Sequence, residues 1–164
     1  MNALLKLPLP EARPKYSPRT RKKIMLVDDD AAIRQMLARL LTGEGYDVLL
    51  AVNGHEAIQV VRAAVIDLVL LDLNMPGMDG WETFEKLATE NPLLPIVVVT
   101  ARPNQSFTAL AAGIGALLEK PLDLPKLFLT IRDLLDEPGE IRMARVAGRP
   151  SEFHYVPPRV AGLG

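Results

Sequence analysis

Between residues 23 and 137 the chain alternates short apolar runs with longer stretches whose apolar residues recur at helical spacing. The short runs predict five strands, at 23–28, 46–51, 67–72, 94–101 and 115–121. The longer stretches predict five helices, at 32–41, 54–64, 80–91, 107–113 and 122–137. Because the strands are apolar throughout rather than at alternate positions, we expect both faces of the sheet to be covered.

Five consecutive β-then-α units predict an α/β fold with a parallel sheet between two layers of helices. Crossover connections between parallel strands are right-handed, so we expect a doubly wound, five-stranded open sheet of order 2-1-3-4-5. Asp30, Asn53 and Asp79 precede three of the helices and are expected to cap them. Gly77 and Gly80 are expected to serve the turn before the third helix.

The two ends of the chain lack this regular pattern. Residues 1–22 contain four prolines and no period, which predicts an irregular N-terminal arm. Residues 138–164 form a Pro/Gly-rich C-terminal tail that is too short for a separate core or output domain. The tail either docks, on the domain or on a partner, through Phe153, Tyr155 and Val156, or is disordered. We therefore expect one folded domain, at 23–137.

Composition narrows the class of protein. There is no cysteine, which excludes disulfides and thiolate zinc sites. No apolar run is long enough for a membrane helix, and the N-terminus lacks a convincing signal peptide, so we expect a cytoplasmic protein without a membrane partner. Residues 1–23 carry a net charge of +6, whereas residues 24–137 carry −9. A basic arm is therefore attached to an acidic domain.

Polar side chains stand at the carboxyl ends of the predicted strands. Asp28 and Asp29 close the first strand, Asp72 the third, Thr100 the fourth and Lys120 the fifth. In a doubly wound sheet these ends share one rim, near the switch point between strands 1 and 3. Any one of these residues has an ordinary structural explanation, but packing gives no reason for all five to converge.

These residue types restrict the chemistry. Crowded carboxylates repel one another unless a cation lies among them, and oxygen ligands without His or Cys favour Mg²⁺ or Mn²⁺. A hydroxyl from Thr100 and an ammonium from Lys120 would suit a phosphoryl group held opposite the metal. Asp72 stands alone at the end of its strand and is the candidate nucleophile, forming an aspartyl phosphate. Asp28 and Asp29 are adjacent and suit the metal.

Four stretches, LVDDD, DLNMPGMDG, VVVTA and EKP, resemble the receiver domain of two-component response regulators. The resemblance covers residues 23–137 and implies a flavodoxin-like fold of the stand-alone, single-domain type. It implies that Asp72 accepts a phosphoryl group from a sensor histidine kinase or a histidine phosphotransfer protein. It also implies a regulatory phosphorylation switch or relay rather than an enzyme, although such domains promote their own phosphorylation and dephosphorylation.

The resemblance also assigns the site residue by residue. Asp28, Asp29, Asp72 and the backbone carbonyl of Asn74 would hold Mg²⁺. Thr100 would bond a phosphoryl oxygen, and Lys120 would form an ion pair with the same group.

One position departs from the family pattern. Leu117 stands three residues before Lys120, where the family commonly has Tyr or Phe. A downstream protein target is expected on the face formed by the helix at 107–113, the strand at 115–121 and the helix at 122–137. Leucine offers neither a ring nor a hydroxyl, so an aromatic readout through Leu117 is not expected.

Two alternatives come from other functional classes. A nucleic-acid-associated regulator could use the basic arm, but the arm lacks interleaved aromatic residues and any recognisable DNA-binding motif, so this is the less favoured hypothesis. A hydrolase on the same fold would need a carboxylate two residues after the nucleophile, where Asn74 stands.

Overall fold

The computed structural model describes residues 21–105, 108–109, 112–149 and 153–162. Its strands are β1 (Lys23–Val27), β2 (Asp47–Ala51), β3 (Leu68–Asp72), β4 (Ile96–Thr100), β5 (Ala116–Glu119) and β6 (His154–Val156). Its helices are α1 (Ala31–Gly43), α2 (Gly54–Ala63), α3 (Gly80–Glu90), α4 (Leu124–Asp136) and α5 (Gly139–Val146). The helix predicted at 107–113 falls partly outside the described residues, and so does nearly all of the N-terminal arm.

The strands form one parallel sheet in the order β2-β1-β3-β4-β5-β6. The predicted α/β fold and the order of the first five strands are confirmed, but the predicted number of strands is wrong by one. The sixth strand belongs to the tail, where His154 pairs with Ala116 and Val156 with Leu118. Three residues between Pro- and Gly-rich flanks are too short to display a strand period, which is why the pattern did not reveal β6.

The core consists of two layers, one on each face of the sheet, because successive strand side chains point to opposite faces. One layer contains Leu71, Val98, Leu117, Phe84 and Leu87, which lie between the sheet and the α2–α3 side. The other contains Leu70, Val97, Leu118, Leu37 and Ile131, which lie between the sheet and the α1–α4 side. Apolar residues on both faces bury the central strands β1, β3 and β4, so the polar residues at the ends of these strands lie at the rim of the sheet.

Side-chain caps begin the helices that follow the site loops. Asp30 accepts hydrogen bonds from the amides of Ala32 and Ile33, and Asp79 accepts one from Trp81, which confirms two predicted caps. Asn53 caps α2 as predicted. Asp123 caps α4, a role that the sequence analysis did not assign.

Glycine allows α3 to begin directly against the loop that follows β3. A Cβ added to Gly80 would lie 2.4 Å from the Cα of Leu73, a backbone atom that has little freedom to move. Gly77, in the same loop, has φ +88°, a backbone conformation that side chains disfavour. Both glycines therefore serve the shape of this loop, as expected.

The tail packs on the domain through α5 and β6. The guanidinium of the buried Arg145 forms an ion pair with Glu137, and Arg142 donates a hydrogen bond to the carbonyl of Leu134. Of the two outcomes open for the tail, its described part therefore follows the docked one. Among the described helices, none combines the length and the apolar character that crossing a membrane requires.

Candidate functional site

The predicted site residues gather at one end of the sheet. Asp72 and Thr100 are the last residues of β3 and β4, whereas Asp28 and Lys120 directly follow β1 and β5. The side chains of Asp28, Asp72 and Thr100 are buried, with exposed fractions of 3%, 4% and 0%. Because the strands are parallel, their carboxyl ends share this rim, and the loops after them close over it.

Three carboxylates come together there. Asp28, Asp29 and Asp72 each offer an oxygen, and these oxygens all lie within 4.8 Å of one another. Asp29 is exposed while the other two are buried, so the cluster opens to solvent on one side. A donor set made only of carboxylate oxygens, with room for water on its open side, fits Mg²⁺.

Lys120 supplies the positive charge of the site. Its Nζ lies 3.4 Å from Oδ2 of Asp72 and 3.8 Å from Oδ2 of Asp28. The backbone amide of Lys120 donates to the carbonyl of Thr100 at 2.8 Å, which fastens the end of β5 to the end of β4. One ammonium therefore stands beside two buried carboxylates, and the cluster keeps an excess of negative charge.

Backbone amides orient both buried carboxylates in the same way. Oδ1 of Asp28 accepts a hydrogen bond from the amide of Asp30 at 2.9 Å, and Oδ1 of Asp72 accepts one from the amide of Asn74 at 2.9 Å. Each carboxylate is thereby held by one oxygen, while its Oδ2 faces Lys120. Asp72 consequently has one oxygen fixed by the loop and one directed toward the cation.

The pKa of Asp28 is raised above its ordinary value, chiefly because burial disfavours the charged carboxylate. The nearby charges of Asp72 and Asp29 raise the pKa further, whereas the amide of Asp30 and the ammonium of Lys120 lower it. Because burial among apolar residues disfavours these negative charges, a cation in addition to the Lys120 ammonium would be favourable at this site.

Thr100 and Asn74 also lie on the rim, but neither belongs to the cluster of three carboxylates. The hydroxyl oxygen of Thr100 accepts a hydrogen bond from the amide of Arg102 at 2.9 Å. The side-chain oxygen of Asn74 is buried and has no hydrogen-bond partner among the residues that the structure describes. Both residues lie where the sequence predicts them, and their roles toward a ligand stay predictions.

Arg34 also supports the site, a role that was not predicted from the sequence. Its Nη1 donates to the backbone carbonyl of Asp28 at 2.6 Å, so a side chain from the first turn of α1 holds the loop that carries the acidic pair. A basic residue in the first turn of the helix after an acidic loop is the signal that could have indicated this contact.

Comparison with known proteins places this geometry in a family. Residues 24–132 match the family described as the response regulator receiver domain. The chain is 41% identical over 135 residues to the transcriptional regulatory protein ZraR of Salmonella typhimurium, covering 81% of this chain and 31% of that protein. It is 41% identical over 115 residues to the response regulator MprA of Mycolicibacterium vanbaalenii, covering 69% of this chain and 50% of that protein. The chain thus spans between about a third and a half of the length of these relatives.

Solved structures of receiver domains share the fold of this chain. A CheY-like receiver domain protein from Methanospirillum hungatei superposes with a TM-score of 0.68 at 33% identity, covering 74% of this chain and 98% of that one. The response regulator TrrA of Thermotoga maritima, solved in complex with Mg²⁺-BeF, superposes with a TM-score of 0.64 at 29% identity, covering 69% of this chain and 98% of that one.

Proposed function

The chain belongs to the response regulator receiver domain family, and from that premise we propose that Asp72 is its phospho-acceptor. One observation carries the proposal: three carboxylate oxygens, from Asp28, Asp29 and Asp72, lie within 4.8 Å of one another, and the ammonium of Lys120 lies 3.4 Å from Asp72. An acidic cluster that faces a single cation is an arrangement suited to a metal-assisted phosphoryl transfer.

Asp72 acts as the nucleophile in this proposal. Its Oδ2 forms the new bond to phosphorus while the phosphorus–nitrogen bond of a donor phosphohistidine breaks, and the bonding electron pair leaves with the imidazole nitrogen. The hydrogen bond from Asn74 to Oδ1 orients the carboxylate and leaves Oδ2 for the attack. The product is an aspartyl phosphate buried at the end of β3.

The metal would be held by Asp28, Asp29 and Asp72 with the backbone carbonyl of Asn74. The chemistry that Mg²⁺, or Mn²⁺, supplies when bound is neutralisation of the negative charge on the phosphoryl oxygens. Lys120 would pair with another of these oxygens after leaving the carboxylates, and the hydroxyl of Thr100 would turn from the Arg102 amide to donate to a third. The phosphoryl group would then be neutralised from several sides.

The phosphoryl donor would be a sensor histidine kinase or a histidine phosphotransfer protein. An apolar groove lies directly beside the site, lined by Ile33, Met36, Pro121, Leu122 and Leu124, with Lys120 at its edge. The side chain of Met36 is 47% exposed at this groove. An amphipathic helix that carries a phosphohistidine could lay its apolar face here and direct the phosphoryl group toward Asp72.

We infer a regulatory role as a switch or relay rather than metabolic catalysis, with autophosphorylation from small acyl phosphates as a side activity. A downstream protein target on the face that includes β5 and α4 stays a prediction. A nucleic-acid role of the basic arm stays the less favoured alternative, since the arm lacks interleaved aromatic residues and a recognisable DNA-binding motif.

Acetyl phosphate labelling tests the proposal. In the presence of Mg²⁺ the wild-type chain should gain the mass of one phosphoryl group, and Asp72→Asn should gain none. Asp79→Asn is the matched control, because Asp79 lies in the same loop but caps α3, a role that asparagine can keep. Labelling that survives in Asp72→Asn would overturn the assignment.

Trp81 fluorescence tests the metal ligands separately. Trp81 follows the β3–α3 loop and its indole donates to Gln105 at 3.2 Å, so loop movement on metal binding should change its emission. Quenching by Mg²⁺ should disappear when Asp28 and Asp29 are both changed to Ala and persist in Asp47→Asn, at the opposite end of the sheet. Unchanged quenching in the double variant would point to another metal site.

A further inference from the structure

The C-terminal strap, residues 153–159, follows the outer edge of β5 along its whole length. At one end the amide of His154 donates to the carbonyl of Gly115 at 3.1 Å. At the other end the amide of Arg159 donates to the carbonyl of Pro121 at 2.8 Å, one residue beyond Lys120. The strap therefore reaches from the base of the sheet to the rim that carries the candidate site.

Side chains of the strap enter both layers of the core. Phe153 packs against the layer that contains Leu117, and Val156, 8% exposed, packs in the layer that contains Leu118. The hydroxyl of Tyr155 donates to the carboxylate of Glu119 at 3.0 Å. The strap is thus a specifically docked strand rather than a loose covering.

Glu119 connects the strap with the site. It is the register partner of Thr100 across the β4–β5 pair, and it is followed by Lys120. The Glu119 carboxylate accepts the hydrogen bond from Tyr155. The residues paired with and next to Glu119 are Thr100 and Lys120, which carry the hydroxyl and the ammonium of the site. Glu119 is therefore joined to Lys120 by the peptide bond and paired with Thr100 across the strands, which gives a continuous connection from the site to the strap.

The strap is more weakly held than the helix before it. α5 is tied down by the buried ion pair between Arg145 and Glu137. β6, in contrast, is only three residues long, and Tyr155 is 45% exposed. A strand of three residues has few backbone hydrogen bonds to break, so it opens locally at a lower free energy than an element held by a buried ion pair. The strap can therefore separate from β5 while α5 remains in place.

We propose that the β5 edge is a strand-docking surface controlled from Asp72, with the strap as its occupant until Asp72 is phosphorylated. This inference rests on the proposed function. A phosphoryl group on Asp72 would add about one negative charge and three acceptor oxygens beside Lys120. It would draw Lys120 and the Thr100 hydroxyl inward, displace the Pro121 carbonyl from Arg159, and repel Glu119 from its position under Tyr155. The strap loosens, and the backbone groups of β5 that it covers become exposed.

Hydrogen exchange measured by mass spectrometry on the full chain tests the inference. With acetyl phosphate and Mg²⁺, amides of residues 153–159 should exchange roughly fivefold faster or more, as expected for the loss of a hydrogen bond. Amides of α5 should keep their rates, and Asp72→Asn should show no response. Faster exchange that spreads equally through α5, or no change in a chain whose phosphorylation is verified by its mass, would overturn the inference and leave the proposed function standing.

Tyr155→Phe tests the docking without phosphorylation. Removing the hydroxyl while keeping the ring should accelerate exchange in the strap of the unmodified protein and reduce the further response to acetyl phosphate. Tyr46→Phe, which removes a tyrosine hydroxyl outside the strap, is the matched control and should leave the strap unchanged. If Tyr155→Phe exchanges like the wild type, the contact with Glu119 does not hold the strap, and the inference fails even if Asp72 is never labelled.

Discussion

At Asp28 the fold places a carboxylate where burial works against its charge. Its Oδ1 is satisfied by the amide of Asp30, but the ammonium of Lys120 is shared with Asp72. The protein without metal therefore retains a destabilising charge at this position. The same unfavourable charge is what a bound divalent cation would relieve, so stability in the absence of metal and affinity for metal are expected to oppose each other here.

Asp28→Asn should raise the free energy of unfolding at neutral pH in the absence of divalent metal. The pKa of Asp28 is raised in the folded state, mainly by burial, so the charged form costs stability above that pKa. The advantage of the variant should be complete above the folded pKa and disappear as the pH falls to the ordinary aspartate range. Urea unfolding in chelator across this pH range measures it.

Asp29→Asn serves as the control for this measurement, because Asp29 is exposed and should change stability less. With saturating Mg²⁺ the order should reverse, since the wild type gains binding energy that Asp28→Asn loses. An Asp28→Asn protein that is less stable than the wild type in chelator at neutral pH would contradict this account.

The position of the charged site residues could be predicted from sequence because strand ends in a parallel sheet share one rim. The strand pattern alone is enough for this prediction, and the structure does bring Asp28, Asp72 and Lys120 together. It does not reach Arg34 or the Tyr155–Glu119 hydrogen bond, because those contacts depend on side-chain directions between elements. Periodicity does not encode such directions.

At the scale of elements, the start of α3 depends on the absence of a side chain at Gly80. Gly80→Ala should destabilise the domain by about 2–3 kcal/mol, because the new Cβ would lie 2.4 Å from the Cα of Leu73 and force the helix away from the β3 loop. Gly43→Ala is the matched control: Gly43 is the last residue of α1, and a Cβ there meets nothing within 4 Å. Thermal unfolding of both variants measures the difference, and equal effects would contradict the close-approach argument.

The attachment of α5 depends on a buried charge pair. Arg145→Met should lower the free energy of unfolding by roughly 2–4 kcal/mol, because it leaves the buried carboxylate of Glu137 without its main partner. Arg142 should limit this loss of stability, because its Nε lies 3.5 Å from Oε2 of Glu137. Denaturant unfolding measures the change.

Lys86→Ala is the comparison for Arg145→Met, since Lys86 pairs with Glu82 on the exposed side of α3. It should change stability little, because solvent screens exposed ion pairs. Comparable losses in the two variants would show that burial of the Arg145 pair is not what holds α5.

The two elements of the tail, α5 and β6, could not be predicted from the hydrophobic pattern. α5 is eight residues long and buries only Arg145 among its described side chains, so it presents no apolar stripe that could distinguish it from a loop. β6 is too short to show a period. Both elements form because the domain offers them a partner, the Glu137 carboxylate for α5 and the β5 edge for β6, and that information lies outside their own sequences.

For the whole molecule, the fold does not explain why residues 1–23 are basic and residues 24–137 are acidic. The domain is acidic, and Lys22, at the junction with the arm, pairs with Asp67 at 3.3 Å. Deleting residues 1–22 should leave labelling by acetyl phosphate unchanged and abolish any salt-sensitive DNA binding of the intact chain. Fluorescence anisotropy with duplex DNA at low salt measures this. Salt-sensitive binding that survives the deletion would contradict the assignment to the arm, and its absence in the intact chain would remove the nucleic-acid alternative.

The chain spans between about a third and a half of the length of two relatives that it matches. ZraR and MprA are longer than the region matched here, and their names describe a transcriptional regulatory protein and a response regulator. Within the described residues, α5 and then the strap follow residue 137, and the strap pairs with β5. The proposed regulation therefore involves the edge of β5, which the strap covers.

Locating the modified residue tests the central claim most directly. After acetyl phosphate treatment with Mg²⁺, borohydride reduces an aspartyl phosphate to homoserine, and peptide sequencing by mass spectrometry shows where the conversion occurred. The account predicts homoserine at position 72 alone, and none when Mg²⁺ is replaced by chelator. Conversion at Asp28, Asp29 or Asp30, or conversion at position 72 that does not need the metal, would contradict it.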